Sequence, residues 1–234
     1  MILQIIYRIS NNSYSKNRIG SKKQCLENAL KTFPPYNNIE WIILGDNLNN
    51  ETYNEVQSLI TPINSTYIQY IPINCGSGAA SFNKALDIAL NQPDNNIIYF
   101  LEDDYLHLPK SASTIIEGFG LGANYITLYN HPDKFIPPQN GGNPEVSDDG
   151  GYLTKLYKGE TQFFYMVNST TMTFASPVKT LKEDETILRH YTQGTYPEDY
   201  KMFLKLRNKG RSLLCPINIK STHTEVNWLS PFID

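Results

Sequence analysis

The chain has 234 residues, 40% of them apolar, 18% charged and 12% aromatic, with a formal net charge of −3. That apolar share excludes a disordered chain, and the length suits one large α/β domain. The near-balanced charge without any Lys/Arg run disfavours non-specific nucleic-acid binding, and no apolar stretch approaches the ~18 residues of a membrane span.

Residues 2–9 form a continuous apolar run, which predicts a buried first strand; Met1–Tyr7 lacks the basic leader and cleavage site of a signal peptide. Residues 20–32 place Cys25, Leu26, Ala29 and Leu30 at helical spacing, and Pro34-Pro35 ends that helix. Trp41–Leu44 is a second strand closing on Gly45-Asp46, residues 51–60 a short helix, and Tyr67–Ile73 a third strand. The small-residue turn Asn74–Gly78 leads into a helix over 79–91, and Ile97–Leu101 is a fully apolar fourth strand, hence central in the sheet. Such alternation predicts a mostly parallel sheet with helices on both faces.

Beyond this point the pattern loosens. Residues 111–118 read as a helix, Tyr125–Tyr129 as a strand, and the Pro/Gly/Asn/Asp-rich stretch 131–151 as a mobile loop within an acceptor-binding half (110–234) that follows a nucleotide-binding half (1–109) in one domain. Tyr152–Tyr157 and Gln162–Val167 suit a hairpin or two edge strands. Helices are expected over 177–190 and 198–208, and a late strand over Leu213–Ile219. Ser169–Phe174 is polar and β-prone, which fits either a half-buried strand or hydroxyls facing a ligand. Cys25, Cys75 and Cys215 have no metal-ligand spacing; free thiols in a reducing compartment, the cytoplasm, are the expectation.

The chemistry concentrates where the fourth strand stops. Glu102-Asp103-Asp104 follows the apolar run, and strand alternation sends Glu102 and Asp104 to the same side. Ligands of open α/β sheets sit beyond the carboxyl ends of the strands, and neighbouring carboxylates there call for a cation. Their hard oxygens suit Mn²⁺ or Mg²⁺, and a divalent ion so held can bridge a diphosphate. A solvated acidic turn is the plainer alternative.

The segment Asn74–Tyr105, with Gly76, Asn83 and Glu102-x-Asp104, resembles the central signature of GT-A glycosyltransferases, particularly family-2-like ones, with Glu in place of the usual first Asp. The resemblance implies a single GT-A (Rossmann-like) domain, a nucleotide-sugar donor with UDP favoured, and a carbohydrate or other hydroxyl acceptor. It also implies metal binding by Asp104, with Glu102 on the metal or the ribose, and base and ribose held by the ends of the first two strands. There Arg8, Ile9 and Ser10 end one strand and Asp46 the other; Asp103, Gly76 and Asn83 complete the nucleotide set. Asp46 can accept from uracil N3–H or cap a helix, and Arg8 can pair with a phosphate or an acidic neighbour.

Tyr196-Pro197-Glu198-Asp199 opens the last helix and resembles the late acidic motif of the same enzymes; Asp199, then Glu198, is the expected general base of an inverting transfer. A first-turn helix cap explains the same acids. His223 is the expected further metal ligand, by the same resemblance. His131 is a candidate on the acceptor side, and His107 and His190 are structural. A sugar-1-phosphate nucleotidyltransferase would carry a Gly-, Arg- and Lys-containing loop after the first strand, where this chain has Ser10-Asn11-Asn12-Ser13. A non-catalytic nucleotide- or carbohydrate-binding module is the rival from another class.

Overall fold

A computed structural model describes residues 1–11, 17–64, 66–149 and 151–231; Asn12 and Ser13 of the loop after the first strand and Gly150 of the 131–151 stretch lie outside them. The alternating first hundred residues fold as β1 (Leu3–Ser10), α1 (Lys22–Thr32), β2 (Ile39–Asp46), α2 (Asn50–Ile60), β3 (Ile68–Ile73), α3 (Gly78–Leu90) and β4 (Ile97–Glu102). The four strands are parallel in the order β3-β2-β1-β4. Each helix starts on a cap that its sequence supplies: a Ser21/Gln24 capping box, Asn49 and Ser77. Asp46, the sequence's candidate cap, therefore does not cap α2; Asn49, three residues later, takes that role.

Both faces of the sheet are covered, as the continuous apolar runs require. Ile5, Tyr7 and Ile9 of β1 join Leu26, Phe33, Trp41 and Tyr99 in one core. Ile6 turns the other way, into a core with Phe82, Leu86, Phe100, Phe174 and Phe203. The register sets Arg8 opposite Glu102 and Ser10 opposite Asp46, so the polar ends of three strands share one edge.

The second half extends this sheet with short strands. After β5 (Tyr105–His107) and α4 (Ser111–Gly120) come β6 (Tyr125–Ile126), β7 (Leu156–Lys158), β8 (Phe163–Met166), β9 (Phe174–Pro177), α5 (Val178–His190), α6 (Asp199–Asn208), β10 (Leu213–Pro216) and β11 (Ser221–His223). The nine-stranded order is β3-β2-β1-β4-β9-β6-β10-β8-β7, with β7 and β8 forming the expected hairpin at its edge. Three expectations need adjusting. The strand at Tyr125 ends at Ile126, and Tyr129 makes a lone bridge to Ser221. The late strand ends at Pro216, because the chain then crosses to pair β11 with β5 in a separate two-stranded sheet. Ser169–Thr173 is irregular, and the strand begins at Phe174, antiparallel to β4.

The stretch after Tyr129 contains two 3-10 turns, Pro132–Phe135 and Pro138–Asn140, and buries Lys134, Asn143 and Val146. Asp184, fully buried on α5, accepts from Tyr125 Oη at 2.7 Å, Lys209 Nζ at 2.7 Å and Arg211 Nε at 2.8 Å. This charge cluster around a buried carboxylate clamps α5 to the end of α6 and to the sheet. Among the described residues no helix is long and apolar enough to cross a membrane.

Candidate active site

A cleft of about 330 Å³ opens at the carboxyl ends of β1, β2 and β4. Arg8, Ile9, Ser10, Asp46, Gly76, Glu102, Asp103 and Asp104 all line it, so the structure brings together eight of the residues singled out in the sequence. Ser77 and Gly78 of the expected turn and Tyr196 of the late acidic motif line it too, and Arg18, Lys22, Ser81 and Thr195, which were not anticipated, complete it.

At one end, Asp46 is buried and receives the turn above it. Its Oδ1 accepts from Cys75 N–H at 2.7 Å and its Oδ2 from Gly76 N–H at 3.2 Å. Gly76 has φ +72°, and no atom lies near where a side chain would start. A left-handed turn pinned by a carboxylate leaves backbone open to a planar ligand.

The middle is an ion-pair lattice. Arg8, 6% exposed, donates to Gly78 O and Ser81 Oγ, both at 3.1 Å, and its Nη2 lies 3.0 Å from Glu102 Oε1. Of the two partners open to Arg8, the protein itself supplies the acidic one. Asp103 Oδ2 accepts from Ser10 N–H at 3.0 Å and pairs with Lys22 Nζ at 2.8 Å. Burial raises the carboxyls of Glu102 and Asp103 above their ordinary values; Arg8 and Lys22 respectively oppose this, and Asp104 adds to it.

At the other end Asp104 Oδ2 lies 3.2 Å from His223 Nε2 and 3.6 Å from an Arg18 guanidinium nitrogen. The small sheet makes this meeting: β11 pairs His223 with Tyr105, Thr224 N–H donates to Asp104 O at 2.8 Å, and the Tyr105 ring meets the His223 ring edge-on at 5.0 Å. Asp104 and His223, 119 positions apart in sequence, thus become neighbours.

Asn83 stands outside the cleft lining. Its Nδ2 donates to Ala79 O at 3.2 Å and Thr192 O at 2.8 Å, and its Oδ1 accepts from Thr192 Oγ1, tying α3 to the end of α5. Asp199 is the first residue of α6, three positions beyond Tyr196 at the cleft mouth. Its carboxylate accepts from Tyr200 N–H, burial raises its carboxyl, and the charges of His131 and Asp133 reach it. Glu198 is exposed and paired with Lys201. His131 Nδ1 lies 2.7 Å from Asp133 Oδ1, with its ring 5.2 Å from that of Trp228. His107 is buried against Phe33 and Tyr99, and His190 packs on Tyr191.

The missed cations left one readable signal. Lys22 occupies the first turn of α1, where the helix dipole disfavours a cation, and Asp103 holds it there. Arg18 carried no such mark.

No match is found among curated proteins. Solved structures do match. GalNAc-T7 with UDP, GalNAc and Mn²⁺ is 12% identical with TM-score 0.63, over 95% of this chain and 43% of that one. A mannosyltransferase, PcManGT, from Pyrobaculum calidifontis in complex with GDP-Man and Mn²⁺ is 12% identical with TM-score 0.59, over 93% and 55%. S. aureus TarS 1-349 is 10% identical with TM-score 0.58, over 96% and 60%. The chain thus spans roughly half the length of the structures it matches, and at this identity they establish the fold alone. A family model, Glycosyl transferase family 2, matches residues 15–179, from before α1 through β9 and the whole acidic turn. The chain belongs to glycosyl transferase family 2, built on the GT-A fold.

Proposed function

We propose that this chain transfers a sugar from a nucleotide-diphosphate donor, with UDP favoured, to an acceptor hydroxyl, with Mn²⁺ or Mg²⁺ bound and with inversion at the anomeric carbon. The observation that carries this reading is one cleft with two unlike ends: the Asp46–Gly76 turn at one and the Asp104–His223 pair at the other. Asp46 Oδ2 keeps lone-pair capacity for uracil N3–H beside the bond from Gly76. Ser10 and Asp103 stand at the ribose position between the ends, and Arg18 and Lys22 set positive charge along the wall where a diphosphate would run.

The residues at the far end fit a hard divalent cation. Asp104 offers a carboxylate oxygen and His223 an imidazole nitrogen at contact distance, with the Glu102 carboxylate lining the same cleft. Among the described residues no set of three His, Cys, Asp or Glu side chains is arranged to hold an ion alone. Mg²⁺ usually keeps several waters and binds through one or two protein ligands plus substrate phosphate, so the residues at this end would supply its protein share. When bound, such an ion neutralises the charge growing on the departing diphosphate. Asp199 takes the proton from the attacking hydroxyl: it is the more shielded of the two late acids, and its raised carboxyl makes it a better base than an exposed Asp. Glu198, paired with Lys201 in solvent, is the second choice.

The test is UDP release from UDP-sugars, with and without Mn²⁺ and a panel of glycoside acceptors. Acceptor- and metal-dependent UDP release is expected. Pyrophosphate formed from a nucleoside triphosphate would favour a nucleotidyltransferase, and nucleotide binding without turnover a non-catalytic module. GDP-sugars run in parallel decide the base.

A further inference from the structure

A second cavity, of about 490 Å³, lies away from the donor cleft, between the β7–β8 hairpin, residues 217–219 and the turn that carries Lys134. Phe135, Leu156, Tyr165 and Ile217 give it apolar walls, and Lys134 and Asn130 are its strongest donors. No Asp or Glu is among the described residues that line it. Its size is that of a small-ligand pocket rather than a packing defect.

Lys134 is the anomaly. It is 1% exposed, yet its Nζ makes no hydrogen bond and no ion pair among the described residues. The carboxylates whose charge reaches it, Asp133 and Asp199, make neither a hydrogen bond nor an ion pair with its Nζ. Asp133 Oδ1 sits 2.7 Å from His131 Nδ1, and Asp199 Oδ1 accepts from Tyr200 N–H at 2.8 Å. Asn130 Oδ1 accepts from Tyr165 Oη, which leaves the Asn130 amide N–H groups for another acceptor. A buried ammonium without a partner is costly, and burial lowers its pKa for that reason. An arriving anion would remove the cost.

We propose that this cavity is a ligand subsite for an amphiphilic acid, an apolar or aromatic body bearing one carboxylate or phosphate that Lys134 and Asn130 bind. The inference deepens the glycosyltransferase reading, since it makes the cavity the holder of the acceptor's non-reacting end. The position agrees: Asp199 is near enough for its charge to be felt at Lys134 Nζ. An acid anchored there would direct the rest of the acceptor toward Asp199.

The experiment compares 4-nitrophenyl β-D-glucuronide with 4-nitrophenyl β-D-glucoside by calorimetry. The two probes match in their aryl group and differ in one carboxylate. The glucuronide should bind about tenfold tighter or more, the range of a charge-assisted hydrogen bond made in a shielded site. Lys134→Met keeps the side-chain volume and should erase the preference. Ile217→Trp, placed at the exposed rim, should abolish binding of both probes without touching the fold, as melting curves would report. Saturating UDP should not displace the glucuronide. Equal affinity for the two probes, no binding of either, a preference that survives Lys134→Met, or displacement by UDP would each overturn the proposal. Selective glucuronide binding without any sugar transfer would leave the subsite standing and sink the catalytic reading instead.

Discussion

His107 offers a quantitative check on how the Asp104–His223 end of the cleft is held. It lies on β5, the strand after the acidic turn, and is 4% exposed. Its Nε2 is 2.8 Å from Tyr99 Oη, its ring meets Phe33 edge-on at 5.1 Å, and its backbone N–H donates to Asn28 Oδ1 at 2.7 Å. Burial pushes the imidazole from 6.5 down to about 3. The folded state therefore binds this proton more weakly than the unfolded chain. The stability it carries is complete above pH 6.5 and drains away as pH falls toward 3. At about 1.4 kcal/mol per pH unit, the loss is about 2 kcal/mol at pH ~5 and tends to about 5 kcal/mol below both values. Glu102, Asp103 and Asp199 act in the opposite sense, because raised carboxyls favour the folded state as they protonate. The raw pH profile mixes both, so the comparison must be with a variant. His107→Gln should be less stable than the parent in urea unfolding at neutral pH, and the gap should close by about 2 kcal/mol at pH ~5. A gap that stays constant between the two pH values would refute a neutral, proton-resistant His107.

Asp104→Ala and His223→Ala should each lose the Mn²⁺-dependent part of the rise in melting temperature that UDP gives, while the metal-independent part remains. Asp199→Asn should lower kcat by about 10²–10⁴ with little change in donor KM, whereas Glu198→Gln should stay within a few-fold of the parent. The acid limb of the parent kcat profile should lie above the ordinary Asp value of 3.8, as burial dictates. Gly76→Val should weaken UDP binding through backbone strain at φ +72°, seen as a higher Kd in calorimetry. Asn83→Ala should cost about 1–3 kcal/mol of stability in denaturant, since it leaves the carbonyl of buried Thr192, just past α5, without its donor, and should leave UDP affinity near that of the parent.

The first hundred residues were readable because β1, β2 and β4 are buried on both faces and each helix carries its own cap. Ile97–Leu101 could hardly be anything but a central strand. The second half was less legible because tertiary pairing defines its strands. β6 is two residues long, and β11 exists only through its partner β5. Phe174–Pro177 has no local β signature, yet it fills the slot beside β4. Within the cleft, the residues at strand ends could be listed from the sequence, because a strand end has a predictable place. Arg18 could not, since it reaches the site from the loop after β1. Lys134 could not either: nothing local distinguishes a lysine that a 3-10 turn buries from the many that stay in water.

The glutamate in the acidic motif has a structural reason on the opposite strand. Arg8 stands across from Glu102 in the parallel register, and the longer Glu arm reaches its guanidinium while leaving the backbone turn intact for Asp103 and Asp104. Arg8 is tied in turn to Gly78 O and Ser81 Oγ at the start of α3, the helix that follows the Gly76 turn. Glu102 therefore links the two ends of the cleft: it pairs with Arg8, which is tied to the start of α3 after the Gly76 turn, and lines the same cleft as Asp104. In our reading the division of labour follows from reach, with Glu102 organising the wall and Asp104 with His223 meeting the metal directly. Substituting the first acid should then disturb donor placement at both ends of the cleft, whereas substituting Asp104 should disturb one.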